Sequence, residues 1–548
     1  MDGPALRSDP VASHSEPRDR LVAGAAVALL SARVLLLART SSWWVNPDEG
    51  IYFDIATVPI GQAMAQILAN AHPPLYYLLL RAMASVSLEL GWLRLPSLVS
   101  AVALPAVVYA LTCRIAGRTA GVAAAAFVAF SPALLALAQV MRPYALWLLC
   151  LALALLALAK ALQPPEPRRG ALLAFSAAMS AAMALHYGTA LALVAIGIAL
   201  FAGWAGGRVD ARRLRAVVLA TLPVAVLALG LFVVHVGPHV LGEGLRERAT
   251  GDFYRALYPR SAPALAFATL SAFRYVFGAG WLAALALLAA GALRSARVPA
   301  LRMPAALAAA ALLVSVVFAA TGAYPLGATR HASGLLVLVA PALGASAAHL
   351  LSGGRRTASA LMLAMLLGTG AVTGDSAGAL REQLVPRTQA DDVRAWLGAE
   401  GGADAVWISD MQTRQLLRPF FGAEGYVHFP GEGLLVVHAG RSPGGRARNL
   451  VLPPDPRVWA LAWRREAPRT SHHLASLLAR LEANPVWRER VERGGVWLVQ
   501  GGWGANMAAA PEARAPDGRP LFTGMAGGPE LAALKLDLDA YRAYLGGR

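Results

Sequence analysis

Two adjacent carboxylates, Asp48 and Glu49, follow the first long hydrophobic segment of the sequence. Either one at the centre of a membrane helix costs about 2.5–3.5 kcal/mol, so both belong at an interface or in an open cavity. One carboxylate of such a pair can take the proton of an attacking hydroxyl as a general base, while the other orients the acceptor or tunes its neighbour. A solvated turn that begins at Asn46-Pro47 explains the pair equally well.

A histidine at a proline corner, His72-Pro73-Pro74, follows in the same loop. The two prolines fix an extended turn, and in structural terms they need only introduce the next helix. A histidine there can also hydrogen-bond a substrate or a phosphate. A single histidine is more often an ordinary polar residue, so His72 becomes a candidate only together with Asp48.

Two arginines near the ends of hydrophobic segments are candidates for binding a phosphate. Arg142 lies in the run 139–144, where its default explanation is a side chain that extends to the membrane surface. Arg330 lies in the run 324–331, on the side where the positive-inside bias makes an arginine least expected, which favours function. A guanidinium binds phosphate bidentately. For Arg274 and the pair His186-Tyr187 an anchoring role at the interface is preferred.

The composition identifies an integral membrane protein. Of 548 residues, 57% are hydrophobic and 15% are charged, whereas soluble proteins have about 25% charged residues. The net charge of +17 comes mostly from arginines in short loops, where they determine topology, so nucleic acid is a poor partner. Cys113 and Cys150 lie in or beside apolar runs and indicate no disulfide framework.

The hydrophobic runs predict about eleven spanning helices, each of roughly 20 apolar residues. They lie near 21–38, 95–113, 120–138, 144–162, 170–186, 188–205, 216–236, 276–293, 304–321, 332–351 and 358–373. Arginines occupy every second loop, which places those loops and the tail 1–20 in the cytoplasm. No cleavage site is evident after the first run, so we interpret it as a retained signal anchor.

The segment 74–90 decides the topology. If it crossed the membrane, every later arginine-rich loop would face outward, so we predict a helix on the outer membrane surface. The first outer loop then extends over 39–94, within a transmembrane domain over 21–373.

After residue 374 the composition becomes that of a soluble domain, and an odd number of spans places it outside the cytoplasm. Apolar runs at 405–408, 458–463 and 496–499 predict buried strands, and the spacing over 473–491 predicts a helix. The residues 431–456 and 504–520 are rich in glycine and proline and predict loops. We expect a small extracytoplasmic α/β domain over 374–548.

These features, in this order, resemble the GT-C membrane glycosyltransferases that use polyprenyl- or dolichyl-phosphate sugars, which include protein O-mannosyltransferases and bacterial aminoarabinose transferases. In that group an arginine in the first helix precedes a tryptophan and an Asp-Glu pair. The residues that carry the resemblance are Arg33, Trp44, Asp48-Glu49, the runs 72–77 and 94–97, Arg142-x-Tyr144 and the run 324–331. The match covers roughly 21–350, and its order is more specific than any single motif.

The resemblance implies an all-α polytopic GT-C fold of about eleven transmembrane helices with a small C-terminal α/β domain. It implies an inverting glycosyltransferase with Asp48, and secondly Glu49, as catalytic residues. The residues implied to bind the donor phosphate or the substrate are His72, Arg142, Tyr144, Arg330 and His331. Many bacterial members of this group carry a second acid at the position that Val140 occupies here. Because that carboxylate is absent, the resemblance assigns the catalytic role mainly to Asp48.

The arginines can neutralise one phosphate, so no metal or other cofactor is required, although a divalent ion at Asp48 and Glu49 stays open. The expected partners are membrane lipids, a polyprenyl-phosphate sugar donor and a glycan, lipid or protein acceptor. The expected location is the bacterial cytoplasmic membrane, with the active site facing outward.

Two alternatives to the transferase stay open on the sequence alone. A transporter or lipid flippase would explain the many spans, although such proteins usually place charges at mid-membrane in broken helices. A membrane scaffold whose C-terminal domain binds partners is the third interpretation.

Overall fold

The computed structural model describes the chain in two compact units. The helical unit comprises Met1–Arg39, Leu98–Ala138 and Tyr144–Ser376, and the loop-and-sheet unit comprises Thr40–Ser97, Gln139–Pro143 and Ala377–Arg548. The described residues are 17–39, 47–68, 70, 72–163, 167–237, 258–259, 261–352, 387–396, 399, 406–410, 426–428, 434–438, 485–501, 514–515, 517–528 and 531–546.

The described part of the helical unit contains apolar helices of 6 to 23 residues. They are α1 (Pro17–Arg39), α6 (Leu95–Ala116), α7 (Arg118–Ala129), α8 (Pro132–Leu137), α9 (Tyr144–Ala161), α10 (Arg169–Leu185), α11 (Gly188–Ala205), α12 (Ala211–Leu231), α13 (Ala262–Phe277), α14 (Trp281–Ser295), α15 (Pro299–Ala320) and α16 (Gly334–Ser352). A π-helix, Phe232–Val236, extends α12, and 3₁₀ turns precede α14 and α16 at Gly278–Gly280 and Arg330–Ser333.

Within the described residues, eight helical segments are long and apolar enough to cross a membrane. This confirms the predicted polytopic fold class, with fewer spans in the described residues than the eleven predicted from the sequence. The predicted span 170–186 corresponds to α10, which is slightly shorter than the eight segments that are long enough to cross a membrane. The predicted span 358–373 lies outside the described residues. The span predicted at 276–293 begins too late, because the apolar helix α13 starts at Ala262 and belongs to the same helical segment.

The span predicted at 120–138 is two helices, α7 and α8, separated at Phe130-Ser131. Pro132 begins α8 and has no N–H, so carbonyl groups at the end of α7 need other donors. Arg33 Nη1 on α1 donates to the Ala129 carbonyl at 2.6 Å, and its guanidinium lies 4.1 Å from the Phe130 ring centroid. Ser131 Oγ caps α8 by accepting from Leu134 N and donates to the Val276 carbonyl at 2.6 Å.

The short helices of the loop-and-sheet unit are α2 (Pro47–Thr57), α3 (Ile60–Leu68), α4 (Leu75–Ala84) and α5 (Leu90–Leu93). A helix of ten residues is about 15 Å long, roughly half of the hydrocarbon core, so α4 cannot cross a membrane. In the segment 74–90, predicted as a surface helix, the structure has the short helix α4. Arg81 on this helix donates to the Val58 carbonyl and so connects α4 to the chain between α2 and α3.

The C-terminal part of this unit contains a six-stranded sheet. Its strands are β1 (Val406–Asp410), β2 (Tyr426–His428), β3 (Leu434–His438), β4 (Val496–Gly501), β5 (Phe522–Gly527) and β6 (Leu531–Leu536), in the order β2-β3-β1-β4-β6-β5. The pair β1/β4 is parallel and the other pairs are antiparallel. The same part of the chain contains three helices, which are α17 (Arg387–Trp396), α18 (Pro485–Gly494) and α19 (Leu538–Gly546).

The predicted α/β composition of this domain is confirmed, although β2, β5 and β6 were not among the predicted strands. The strands expected at 405–408 and 496–499 are β1 and β4, whereas the run 458–463 lies outside the described residues. The loop prediction for 431–456 was wrong at β3, because the apolar run Leu434–His438 pairs with β1 despite its glycine-rich surroundings. Of the helix predicted over 473–491, the structure describes the part from Pro485, which continues to Gly494.

The helix break generates the first prediction. Ser131→Ala removes the donor to Val276 and the cap of α8, and we expect a loss of about 1–3 kcal/mol because buried polar groups lose their partners. The measurement is thermal unfolding of the detergent-purified protein. Thr269→Ala is the control, since Thr269 Oγ1 donates only within its own helix, to Leu265 O. Equal unfolding temperatures for the two variants would contradict this account of the break.

Candidate active site

The helix α2 presents the two acids in its first turn, directly after Pro47. Proline is favoured at the first helical position, and carboxylates there interact well with the N-terminal end of the helix dipole. Neighbouring residues on a helix point in different directions. Asp48 and Glu49 therefore enter different surroundings.

Glu49 is fully buried and is held from two sides. Arg94 binds it bidentately, with Nε to Oε1 and Nη2 to Oε2 both at 2.9 Å. The backbone N–H of Met141 donates to Oε1 at 2.6 Å. A buried carboxylate requires such a partner, because an uncompensated charge in the interior is very costly. Both oxygens of Glu49 are thus engaged in holding three chain segments together.

Asp48 is one-third exposed and forms an ion pair with Arg142. The Arg142 side chain is 5% exposed, and its Nη2 lies 3.4 Å from His72 Nε2. Arginine has no acceptor, so His72 Nε2 faces it as the acceptor nitrogen. One buried guanidinium therefore connects the predicted base with the predicted histidine, while the Asp48 carboxylate keeps contact with solvent.

Tyrosine rings surround this guanidinium. Tyr52 stacks on Tyr77 with 4.6 Å between ring centroids, it meets Tyr76 edge-on at 5.7 Å, and the Arg142 Cζ lies 5.5 Å from its ring. A guanidinium near an aromatic ring gains a cation–π attraction. Tyr52, Tyr76 and Tyr77 are almost completely buried, so the Arg142 guanidinium lies against aromatic rings that exclude water.

Ser97 connects the Tyr76 hydroxyl with the backbone of Arg142. Ser97 Oγ donates to the Arg142 carbonyl at 3.0 Å and lies 3.1 Å from the Tyr76 hydroxyl. Because the serine proton is used on Arg142, Tyr76 donates to Ser97. Burial raises the pKa of Tyr76 above its usual range, which keeps this donor protonated.

The helical unit carries a second group of candidates, described here by itself. Arg330 Nε donates to the Tyr144 hydroxyl at 3.2 Å, and the His331 ring lies 6.2 Å from the Tyr144 ring. His186 is buried, 4.9 Å from the Tyr144 ring and 4.5 Å from the Trp147 ring, so the expected role as an interfacial anchor does not fit it. Its Nδ1 accepts from Gly188 N at 3.0 Å.

The predicted residues thus form two groups, each within one unit. Asp48, Glu49, His72 and Arg142 come together in the first, and Tyr144, Arg330 and His331 come together in the second. Arg94 and Ser97 were not among the predicted site residues, although both belong to the run 94–97 that carries the resemblance. An arginine at the start of a span, in a loop with two acids, is a signal for a buried ion pair.

The described residues contain no cluster of three or more His, Cys, Asp or Glu side chains with the geometry to hold a metal ion. The expectation that the chemistry requires no metal or other cofactor stays a prediction. Val140 is buried, and a backbone bond from Arg142 N to Val140 O at 2.9 Å tightens the segment 139–143.

Comparison with known proteins agrees with this architecture. Residues 71–237 match the sequence family described as dolichyl-phosphate-mannose-protein mannosyltransferase. Among solved structures the chain is similar to ArnT from Cupriavidus metallidurans in the apo state, with 12% identity over 94% of this chain and 98% of that chain and a TM-score of 0.50. No curated protein gives a sequence match.

Two further solved structures are similar at lower TM-scores. ArnT from Cupriavidus metallidurans bound to undecaprenyl phosphate has 13% identity over the same shares of both chains, with a TM-score of 0.41. The oligosaccharyltransferase AglB from Archaeoglobus fulgidus, in complex with an inhibitory peptide and a dolichol-phosphate, has 13% identity over 91% of this chain and 73% of that chain, with a TM-score of 0.46.

The long apolar helices of the described residues are those of an integral membrane protein, and the fold is similar to that of apo ArnT over nearly the whole chain. The partial family match and the similar fold agree with the predicted resemblance to the GT-C membrane glycosyltransferases.

The buried ion pair generates the second prediction. Arg94→Met leaves the Glu49 carboxylate buried without its cation, and we expect a loss of stability of about 3–5 kcal/mol. Thermal unfolding in detergent measures it. The double variant Arg94→Met/Glu49→Gln also removes the negative charge of Glu49, so we expect part of the stability to return. The single variant Glu49→Gln completes the cycle. If the loss of stability in the double variant equals the sum of the losses in the two single variants, the two residues are not coupled.

Proposed function

We propose that this protein transfers a sugar from a polyprenyl-phosphate donor to an acceptor hydroxyl with inversion at the anomeric carbon. The observation that carries the proposal is the different surroundings of the two acids. Glu49 is fully buried with both oxygens bonded, whereas Asp48 is partly exposed beside a buried arginine. Asp48 is therefore the acid that an acceptor can reach, and Glu49 is a positioning residue.

Asp48 acts as the general base. The acceptor oxygen attacks the anomeric carbon, its proton passes to Asp48, and the bond between that carbon and the phosphate oxygen breaks with the electron pair on the departing polyprenyl phosphate. Attack from the face opposite the leaving group inverts the centre, by the logic of inverting glycosidases. The adjacent Arg142 guanidinium forms an ion pair with the Asp48 carboxylate and holds it in place.

Guanidinium groups stabilise the departing phosphate in this proposal. A fixed positive charge aimed at developing negative charge is worth more where water is excluded. Arg142 lies against buried tyrosines, and Arg330 is oriented by its bond to the Tyr144 hydroxyl. His72 and His331 are further donors to the phosphate or the sugar. ArnT in its undecaprenyl phosphate complex supports a lipid phosphate as the ligand class.

The proposed setting is the outer face of the bacterial cytoplasmic membrane, with the C-terminal domain on the same side. The arginine-rich loops support it, since they favour the cytoplasm and leave the loop with Asp48 outside. The acceptor is a glycan, a lipid or a protein of the cell envelope. The peptide ligand of AglB is consistent with a protein acceptor, although it does not select among the three.

Asp48→Asn is the direct test of the base. The amide keeps the size of the side chain but cannot take a proton, so we expect transfer to fall by about 10²–10⁴-fold with normal expression and folding. The assay measures glycosylated product in proteoliposomes that contain the protein, a polyprenyl-phosphate sugar and a cell-envelope extract that supplies the acceptor. Glu89→Gln is the matched control, because Glu89 is an exposed acid of the same loop.

Transfer at the wild-type rate by Asp48→Asn would remove Asp48 from the mechanism. Movement of the lipid-linked sugar across the same vesicles without any glycosyl product would support the transporter alternative instead.

Arg142→Lys tests the guanidinium. Lysine keeps the charge but offers a single ammonium in place of a planar fork, so it cannot contact Asp48 and His72 in the observed way. We expect transfer to fall by about tenfold or more, with a rise in the KM for the donor if Arg142 also binds the phosphate. Unchanged kcat and KM would exclude both roles.

A further inference from the structure

The helical unit contains an apolar cavity that none of the candidate residues lines. Its volume is about 270 Å³. The helices α6, α9, α11, α15 and α16 line it with Leu111, Leu155, Leu158, Ile196, Leu200 and Met303, among others. Other lining side chains, including Leu162 and Leu307, are partly exposed, so the cavity opens on the surface of the helices.

The cavity lies at one end of these helices. It is lined by the last turns of α6 and α9, whereas α9 begins at Tyr144, the partner of Arg330. Ile196, Ala199 and Leu200 line it from the middle and second half of α11. Met303 lines it from near the beginning of α15. These are the ends next to the arginine-rich loops, which are the predicted cytoplasmic ends.

The polar residues at the cavity are Arg114 and Gln163. Arg114 Nη1 donates to Gln163 Oε1 at 2.7 Å, and both residues lie in the cavity lining. Arg114 is exposed, so its guanidinium faces the surroundings as well as Gln163. A guanidinium has several N–H donors, and one bond to an amide leaves others for an anion. The cavity therefore combines an apolar interior with a cationic mouth.

We propose that this cavity binds an anionic phospholipid of the cytoplasmic leaflet, with one acyl chain in the cavity and the head-group phosphate at Arg114. An apolar cavity of about 150 Å³ is enough to hold benzene, so one of this size accommodates a longer stretch of hydrocarbon. In a bilayer the available filling is acyl chain, and a void would forfeit its dispersion contacts. The cytoplasmic leaflet supplies anionic head groups, which basic groups there attract.

This proposal does not depend on the transferase reaction. The ligand is a structural lipid, and the test reads lipid binding rather than sugar transfer. A failure of one proposal therefore leaves the other standing.

Native mass spectrometry of the full-length protein tests it, after exchange from nanodiscs that contain phosphatidylglycerol and phosphatidylcholine in equal amounts. We expect the wild type to retain phosphatidylglycerol preferentially, and Arg114→Gln to retain about tenfold less, because a charge-assisted hydrogen bond is lost. Arg297→Gln is the matched control, since Arg297 is an exposed arginine of another arginine-rich loop outside the cavity lining. It should retain as much as the wild type.

Leu307→Trp places a larger side chain at the cavity and should reduce retention of both phospholipids. The proposal is overturned if Arg114→Gln and Arg297→Gln retain equal amounts of phosphatidylglycerol, or if the wild type shows no preference between the two phospholipids. Polyprenyl phosphate is added as a competitor in a further measurement. If it displaces phosphatidylglycerol from the wild type, and if Arg114→Gln binds it as well as the wild type does, the proposal is also overturned.

Discussion

The bidentate ion pair between Glu49 and Arg94 is the interaction on which the candidate site depends. Glu49 has no contact with solvent, so its charge must be matched inside the protein. Arg94 matches it at the end of the first loop, and the N–H of Met141 adds a third bond from a distant segment. Three segments that are far apart in the chain are thereby fixed around one carboxylate, and Asp48 is held next to them.

Membrane-embedded backbone imposes the second constraint. A spanning helix that breaks leaves carbonyl groups which lipid cannot satisfy. At Phe130-Ser131 the protein uses Arg33 and Ser131 for this purpose, each by a hydrogen bond of 2.6 Å to a carbonyl. An arginine inside the first helix, expensive in lipid, is thus explained by the broken helix beside it. The break also shortens α8, whose end leads directly into the segment 139–143 that contacts Glu49.

Charge is distributed unevenly along the described helices of the helical unit, and this gives their two ends different chemistry. Arg330 and Tyr144 lie where helices begin, and the buried His186 lies between the end of α10 and the start of α11, among aromatic rings. The opposite ends carry the arginine-rich loops and the apolar cavity with Arg114. The first end suits reactive or binding groups, whereas the second suits contacts with lipid head groups.

Local composition and spacing along the chain were enough to predict the polytopic membrane class and the apolar strands β1 and β4, and they also gave the orientation and the candidate residues, which stay predictions. The sequence by itself did not distinguish the roles of Asp48 and Glu49, since adjacent acids look alike until their surroundings are known. The pairing of Glu49 with Arg94 and the break before Pro132 required the tertiary structure. Burial and long-range hydrogen bonds are set by residues far apart in the chain, so no local pattern contains them.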